Sequence, residues 1–195
     1  MGHASSKQAL DGVHIMFHPD VMDGTQNAIL ESSLQNGIGP STKAPCATDV
    51  ARGIKRLFAR NDIWCVEEMA LKNNRRADLM GIDARGQIII VEIKVARGDL
   101  LGDNKWPDYL DFCDRFFWGV PPELDRSPLE SEAYSPERCG IIVADGYDAE
   151  IVRQAPLEPL AAARRKAEIE KLARIALRRN TALIDPQCTD LSSAG

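Results

Sequence analysis

The hydrophobic pattern of the chain is most distinctive in a short run of β-branched residues that ends in charge. Ile88 to Val91 are four consecutive β-branched residues, and Glu92, Ile93 and Lys94 follow directly. A run of this kind, without alternating polar residues, is typical of a central strand buried on both faces. Burial of two charged side chains at its end is costly unless they have partners or a function. The pattern therefore predicts a central strand with candidate functional residues at its carboxyl end.

The segment before this run predicts an antiparallel neighbour for it. Gly86 can supply the left-handed residue of a three-residue loop, 84–86, and that loop places Asp78 opposite Glu92. Cross-strand neighbours lie roughly 5 Å apart at Cβ, which is close enough for two carboxylates to share one divalent cation. Lys94, two residues after Glu92, projects from the same face.

A third acidic residue depends on the length of the preceding turn. A three-residue loop, 72–74, with Asn74 in the left-handed conformation, places Glu68 opposite Asp78. A loop one residue longer selects Glu67 instead. The sequence leaves this choice open.

The remaining pattern predicts helices and strands that surround this hairpin. Thr48 is a candidate N-cap for an amphipathic helix that ends near Asn61. Pro107 is suited to begin a second helix, which is expected to run to about Trp118. Further apolar patterns predict a strand at 139–145, a hairpin partner at 150–153 and an amphipathic helix at 160–179.

Composition predicts one folded domain between two polar ends. Residues 1–45 are rich in Gly, Ser, Asn and Gln without a sustained period, so we expect a disordered extension there, and Met16 or Met22 is an alternative start. The folded domain is expected at 46–182 and a flexible tail at 183–195. No apolar run approaches the roughly 20 residues that span a bilayer. We therefore expect a cytoplasmic protein without a membrane partner.

Histidine and cysteine placement excludes several kinds of chemistry. The three histidines all lie within the first twenty residues, so the predicted domain has none for acid–base catalysis, a catalytic triad or a zinc site. The five cysteines form no C-x-x-C pair, which argues against a zinc cage. The net charge of −5 argues against a general nucleic-acid coat protein. Carboxylates, a lysine and a hard metal ion remain as candidate chemistry.

These residues resemble a known family of nucleases. Asp78, Glu92-Ile93-Lys94 and the flanking pattern of elements resemble the PD-(D/E)XK, or restriction-endonuclease-like, superfamily, with Ala77 where the superfamily name has proline. The longer match resembles the bacterial MmcB-type DNA-repair proteins and covers roughly residues 47–180. It includes the runs Arg75-Arg76-Ala77-Asp78-Leu79, Val91-Glu92-Ile93-Lys94 and Lys105-Trp106-Pro107-Asp108-Tyr109-Leu110-Asp111-Phe112-Cys113-Asp114-Arg115-Phe116.

The resemblance implies an α/β fold and a metal-dependent reaction. The expected fold is a restriction-endonuclease-like αβββαβ core with a mixed central sheet flanked by helices, plus a C-terminal amphipathic helix. The expected activity is hydrolysis of DNA phosphodiester bonds with Mg²⁺ or Mn²⁺. Asp78, Glu92 and the backbone carbonyl of Ile93 would bind the metal ion, and Lys94 would orient or activate the attacking water. Glu68 would complete the ligands of this ion or position a second ion.

The resemblance also implies DNA as a partner and leaves several alternatives open. Damaged or branched DNA, a homodimer and other DNA-repair proteins are all compatible with it. A non-catalytic nucleic-acid-binding or scaffold member of the same fold is the alternative function, and an RNA substrate is not excluded. Whether cleavage is endo- or exonucleolytic is equally open. The candidate nucleic-acid-binding residues, for which core packing or solvent exposure is the competing interpretation, are Arg76, Lys105, Trp106, Tyr109, Arg115, Arg52 and Arg56.

Overall fold

The computed structural model of the protein describes residues 45–188. The predicted disordered extension at 1–45 lies outside these residues, apart from Pro45. The part of the predicted tail from residue 189 onward also lies outside them. Among the described residues, no helix has both the length and the apolarity needed to cross a bilayer.

A six-stranded mixed sheet, with the strands in chain order β1 to β6, forms the centre of the fold. The first three strands and the last two pair antiparallel, whereas β3, β4 and β5 are parallel. This arrangement is the predicted α/β class, with the mixed sheet and flanking helices of a restriction-endonuclease-like core. In chain order the elements are α1 (Ala47–Arg60), β1 (Trp64–Ala70), β2 (Arg76–Ile82), β3 (Ile88–Ile93), α2 (Arg97–Leu101), β4 (Arg115–Val120), β5 (Cys139–Ala144), β6 (Ala149–Arg153) and α3 (Ala162–Ile184).

Each face of the sheet is covered by a separate apolar core. Alternate residues of β3 belong to different cores, with Ile88 and Ile90 in one and Ile89 and Val91 in the other. Helix α1 packs on the second face, while α2, α3 and the segment after α2 cover the first. The four β-branched residues of β3 are thus buried on both faces, as the sequence pattern predicts.

Helix α1 begins two residues earlier than predicted. Cys46, not Thr48, is the N-cap, because the carboxylate of Asp49 accepts hydrogen bonds from the Cys46 backbone N–H and Sγ, both at 3.1 Å. The helix lies very close to the β5–β6 turn at Gly53, where a Cβ atom would be 2.3 Å from the carbonyl oxygen of Asp145.

The predicted helix from Pro107 to Trp118 is wrong in its second half. A 3-10 helix covers Trp106–Phe112, and the chain then extends as β4 between β3 and β5. The physical reason is that this segment has apolar residues on two faces. Phe116 and Trp118 pack in the first core, whereas Phe117 packs in the second, so the alternation of a buried strand replaces the helical stripe.

Asp114, at the entry to β4, is a fully buried carboxylate that joins three parts of the chain. It accepts hydrogen bonds from the backbone N–H groups of Ile88 and Leu160, both at 2.8 Å, and from the Arg165 guanidinium. Burial alone would raise the pKa of Asp114, but Arg165 and the two N–H donors hold it below its usual range. The break between the 3-10 helix and β4 is therefore fixed by a charged anchor.

Helix α3 closes the fold along the outer strand β1. It runs through Ile184, slightly past the predicted domain end at 182. Lys171 donates a hydrogen bond to the carbonyl oxygen of Ala70, and Arg179 donates to that of Glu67 at 2.6 Å. The basic side chains of this helix thus contact the backbone of an edge strand.

Candidate active site

The site lies at the carboxyl end of β3, in the register that the sequence predicts. Gly86 has φ of +77° and donates its N–H to the carbonyl oxygen of Asp83 at 2.9 Å, which closes the three-residue loop. Leu79 is then paired with Val91, so Asp78 and Glu92 are the next residues along the two strands. The predicted pairing of β2 with β3 is confirmed.

Asp78 is held by the backbone of the neighbouring strand. Its Oδ2 accepts a hydrogen bond of 2.7 Å from the N–H of Ile93, which takes the place of a further backbone bond between β2 and β3. Burial raises the pKa of Asp78, although this hydrogen bond opposes the shift. The carboxylate is consequently fixed beside Glu92.

Glu92 is a buried carboxylate with one oxygen that no described residue satisfies. Its side chain is only 9% exposed; Oε1 accepts a 3.1 Å hydrogen bond from Lys94, and Oε2 is buried and accepts no hydrogen bond from residues 45–188. Burial, and then the negative charge of Asp78, raise the pKa of Glu92 to about 7. An orphaned buried carboxylate oxygen is an expensive feature in a folded protein, and a cation would satisfy it.

Lys94 is bound by two carboxylates. It projects from the same face as Glu92, as predicted, and its Nζ also lies 2.8 Å from Oδ2 of Asp103. Burial by itself lowers the pKa of Lys94, but the hydrogen bond to Asp103 and the charge of Glu92 outweigh it and raise the pKa. Lys94 is therefore an ammonium donor at neutral pH.

Asp103 is a residue of the site that the sequence reasoning missed. It lies in the irregular segment after α2 and its side chain is only 11% exposed. No periodic pattern or motif in the sequence marks this position, since the fold alone brings it to Lys94.

The turn before β2 favours Glu68 over Glu67 as the third acidic residue. Asn74 has φ of +63°, and the resulting register places Glu68 between the pairs Glu67 with Leu79 and Met69 with Ala77, next to Asp78. Glu67 pairs instead with Lys55 of α1. The negative charge of Glu68 contributes to the raised pKa of Asp78.

Glu68 itself is turned toward solvent. It has a left-handed backbone with φ of +54°, and its half-exposed carboxylate forms an ion pair with Arg76. This pair lies at the edge of the site and does not reach into it.

The two aromatic candidates for base contact lie inside the fold. Trp106 is 4% exposed and packs edge-on against Trp118, with ring centroids 5.9 Å apart. Tyr109 is 6% exposed, and its hydroxyl donates to the carbonyl oxygen of Arg76 at 3.1 Å. Burial, with the nearby carboxylate of Glu92, raises the pKa of Tyr109. Both rings are thus part of the first apolar core and are covered, which contradicts the prediction that they contact bases.

The basic candidates are distributed over different parts of the fold. Arg76 is 67% exposed beside Asp78, and Lys105 is exposed two residues after Asp103. Arg115 begins β4 at the opposite end of the sheet, where it donates to the side chain of Gln87 and to the carbonyl oxygen of Ala155. Arg52 and Arg56 are exposed on α1, the helix that covers the other face of the sheet. Of these candidates, Arg76 lies near Asp78, and Lys105 is linked to the site through its backbone N–H, which binds Asp103.

The donor set fits a hard divalent cation held by few protein ligands. Asp78 and Glu92 are adjacent, and among the residues that the structure describes none forms a hydrogen bond with Oε2 of Glu92. Within residues 45–188 there is no group of three or more His, Cys, Asp or Glu residues placed to hold a metal ion. Mg²⁺ commonly binds through one or two carboxylates and keeps several waters, so a two-carboxylate site suits it.

Comparisons with known proteins identify a family and a solved relative. Residues 36–187 match the family described as DNA repair protein MmcB-like. The chain is also similar to a solved protein of unknown function from Silicibacter pomeroyi, with 40% sequence identity and a TM-score of 0.67; the match covers 75% of this chain and 95% of that one. No curated protein matches the chain.

Proposed function

Since the chain belongs to the MmcB-like family of DNA-repair proteins, we propose that it is a metal-dependent nuclease that hydrolyses DNA phosphodiester bonds. Asp78 and Glu92 bind the metal ion, together with the backbone carbonyl of Ile93. The observation that carries the proposal is the buried Oε2 of Glu92, which has no hydrogen-bond partner in the described part of the chain and belongs to a carboxylate that lies beside a second one. Most buried carboxylate oxygens in folded proteins have a hydrogen-bond partner or a cation, and the ion pair with Lys94 engages only Oε1, so a cation at Oε2 would complete the site.

Mg²⁺ or Mn²⁺, when bound, would neutralise charge on the scissile phosphate and lower the pKa of a bound water. The protein would supply the orientation. Asp78 is fixed by the Ile93 N–H, so its carboxylate needs no rearrangement before it binds a cation. Lys94 has three N–H donors, of which two bind Glu92 and Asp103. The third is left to orient the attacking water or a phosphate oxygen.

The region around the site supports DNA as the substrate. Arg76 is exposed beside Asp78 and Lys105 is exposed two residues after Asp103, so both can contact the phosphate backbone of DNA bound at the site. The rings of Trp106 and Tyr109 are covered, so the proposed binding relies on phosphate contacts and does not require stacking on bases.

The test is cleavage of labelled single-stranded, duplex and branched DNA, and of matched RNA, with Mg²⁺ or Mn²⁺. The wild type is expected to cut at least one DNA substrate, and Asp78→Ala and Lys94→Ala are expected to lose at least about 100-fold in rate. Asp111→Ala and Lys166→Ala change exposed residues outside the site and are expected to cut like the wild type. DNA that remains intact with every metal ion, although binding persists, would refute the proposal.

A non-catalytic DNA-binding role is the second candidate. One observation favours it, namely that within residues 45–188 no cluster of three or more potential ligands is assembled. In that case neither Mg²⁺ nor Mn²⁺ would raise the melting temperature of the wild type, and Asp78→Ala would bind DNA as well as the wild type does.

A further inference from the structure

Asp103 contacts the centre of the site although it follows β3 by ten residues. Its Oδ2 lies 2.8 Å from Nζ of Lys94, closer than Oε1 of Glu92, which lies at 3.1 Å. All three side chains are nearly buried, with exposed fractions of 9 to 12%. Lys94 is thus shared between the strand that bears it and a separate segment of the chain.

The position of Asp103 is fixed by its own backbone and by its neighbours. Oδ1 accepts a 2.9 Å hydrogen bond from the backbone N–H of Lys105, so both carboxylate oxygens are engaged. The backbone N–H of Asp103 donates to the carbonyl oxygen of Leu100, which also accepts a 2.8 Å hydrogen bond from the Tyr134 hydroxyl. Because Leu100 is fully buried, the segment that carries Asp103 is anchored in the core.

The charges explain what this anchoring achieves. Without Asp103, Lys94 would pair with Glu92 alone and neutralise it, which would weaken Glu92 as a metal ligand. A second carboxylate shares the ammonium group and leaves Asp78 and Glu92 with charge for a divalent cation. The four ionised groups together carry two negative charges, which match the charge of Mg²⁺.

We propose that Asp103 is a positioning residue for Lys94, which holds the ammonium group between two carboxylates so that Glu92 is free to bind the metal ion. The inference rests on the proposed nuclease function. Asp103 does not touch the metal ion or the DNA in this scheme; it acts through Lys94.

The kinetic test compares Asp103→Asn and Asp103→Glu with the wild type on the DNA substrate that the wild type cuts. Misplacement of Lys94 is expected to lower kcat by about 10- to 100-fold in Asp103→Asn, while KM for DNA changes less than about twofold. Asp103→Glu keeps the charge and is expected to regain part of the rate. Asp99→Asn is the matched control, because Asp99 is exposed in the adjacent helix α2.

A second readout needs neither metal ion nor substrate. Acylation of lysines by acetic anhydride, mapped by mass spectrometry in the presence of a chelator, is expected to be faster at Lys94 in Asp103→Asn than in the wild type. Lys166, which is 78% exposed, serves as the internal reference and should react equally in both.

The outcomes separate this inference from the function on which it rests. An unchanged kcat in Asp103→Asn overturns the positioning role. The role is also overturned if kcat falls equally in Asp103→Asn and Asp103→Glu and the melting temperature falls too, because that result indicates a structural role alone. A wild type that cuts no substrate refutes the nuclease function itself, and with it this inference.

Discussion

Replacing Glu92 by glutamine is expected to stabilise the metal-free protein at pH 8 and to change its stability little at pH 4. The reason is that Glu92 is buried beside Asp78 and has an oxygen that receives no hydrogen bond from residues 45–188. In the unfolded chain the same carboxyl group is solvated and ionises readily. Ionisation is therefore easier in the unfolded state than in the folded state, and it favours unfolding.

The pKa values give the size of the effect. The pKa of Glu92 is raised from 4.5 to about 7, and each pH unit between the two values corresponds to about 1.36 kcal/mol. The contribution of Glu92 to the free energy of unfolding is therefore fully present below pH 4.5, where the carboxyl group is neutral in both states. It is lost as the pH rises through 7, where Glu92 ionises in the folded protein as well. The full loss is about 3 kcal/mol, and the raised pKa of Asp78 acts in the same direction. Glu92→Gln removes the loss at Glu92.

The assay is urea denaturation from pH 4 to pH 8 with a chelator present. The free energy of unfolding of the wild type is expected to fall relative to that of Glu92→Gln across this range. Glu123→Gln is the control for an acid-to-amide change at an exposed position, and its curve should remain parallel to that of the wild type. Parallel curves for Glu92→Gln and the wild type would refute the reasoning, because they would mean that Glu92 titrates as a solvated carboxyl group.

Adding Mg²⁺ extends the same experiment. A ligand present at 100 times its Kd stabilises the folded state by about 2.7 kcal/mol, which is close to the loss caused by the ionised Glu92. At pH 8, Mg²⁺ is expected to raise the stability of the wild type and to have little effect on Glu92→Gln. An equal response in the two proteins would place the metal ion elsewhere.

Two further predictions concern the scaffold. Asp114→Ala removes a buried anchor and leaves Arg165 without its carboxylate, so it should lower the free energy of unfolding in urea by about 3 to 5 kcal/mol. Asp111→Ala, at an exposed position, should lower it little. A small loss for Asp114→Ala would contradict the anchoring role. Gly53→Ala should lower stability by about 1 to 3 kcal/mol because its Cβ would meet the backbone of the β5–β6 turn. Gly98→Ala, which meets nothing within 4 Å, should not lower the melting temperature.

The hairpins of the site could be predicted because local turn chemistry determines their register. Gly86 and Asn74 both adopt positive φ, and each closes a loop of the length that its residue type favours. Once the loop lengths are known, the pairing of Asp78 with Glu92 and the position of Glu68 follow from the two-residue period of a strand. No distant part of the chain is needed for these inferences.

The errors at β4 and at Asp103 occurred where distant contacts decide the structure. Phe112 and Phe116 have the spacing of a helical stripe, but the consecutive apolar residues 116–118 equally suit a strand buried on both faces. The position of β4 between two other strands selects the strand. The break before β4 depends on Asp114, whose partner Arg165 is 51 residues away. Asp103 was missed for a related reason, since an irregular segment carries no periodic signal.

The contacts of α3 with β1 have a consequence for how copies of this protein can associate. A sheet edge with free carbonyl and N–H groups is a template for adding a strand from another molecule. On β1, the carbonyl oxygens of Ala70 and Glu67 are occupied by Lys171 and Arg179. The other outer strand of the described sheet is β6. A strand added along β1, whether in a functional assembly or in an aggregate, would therefore have to displace these two basic side chains.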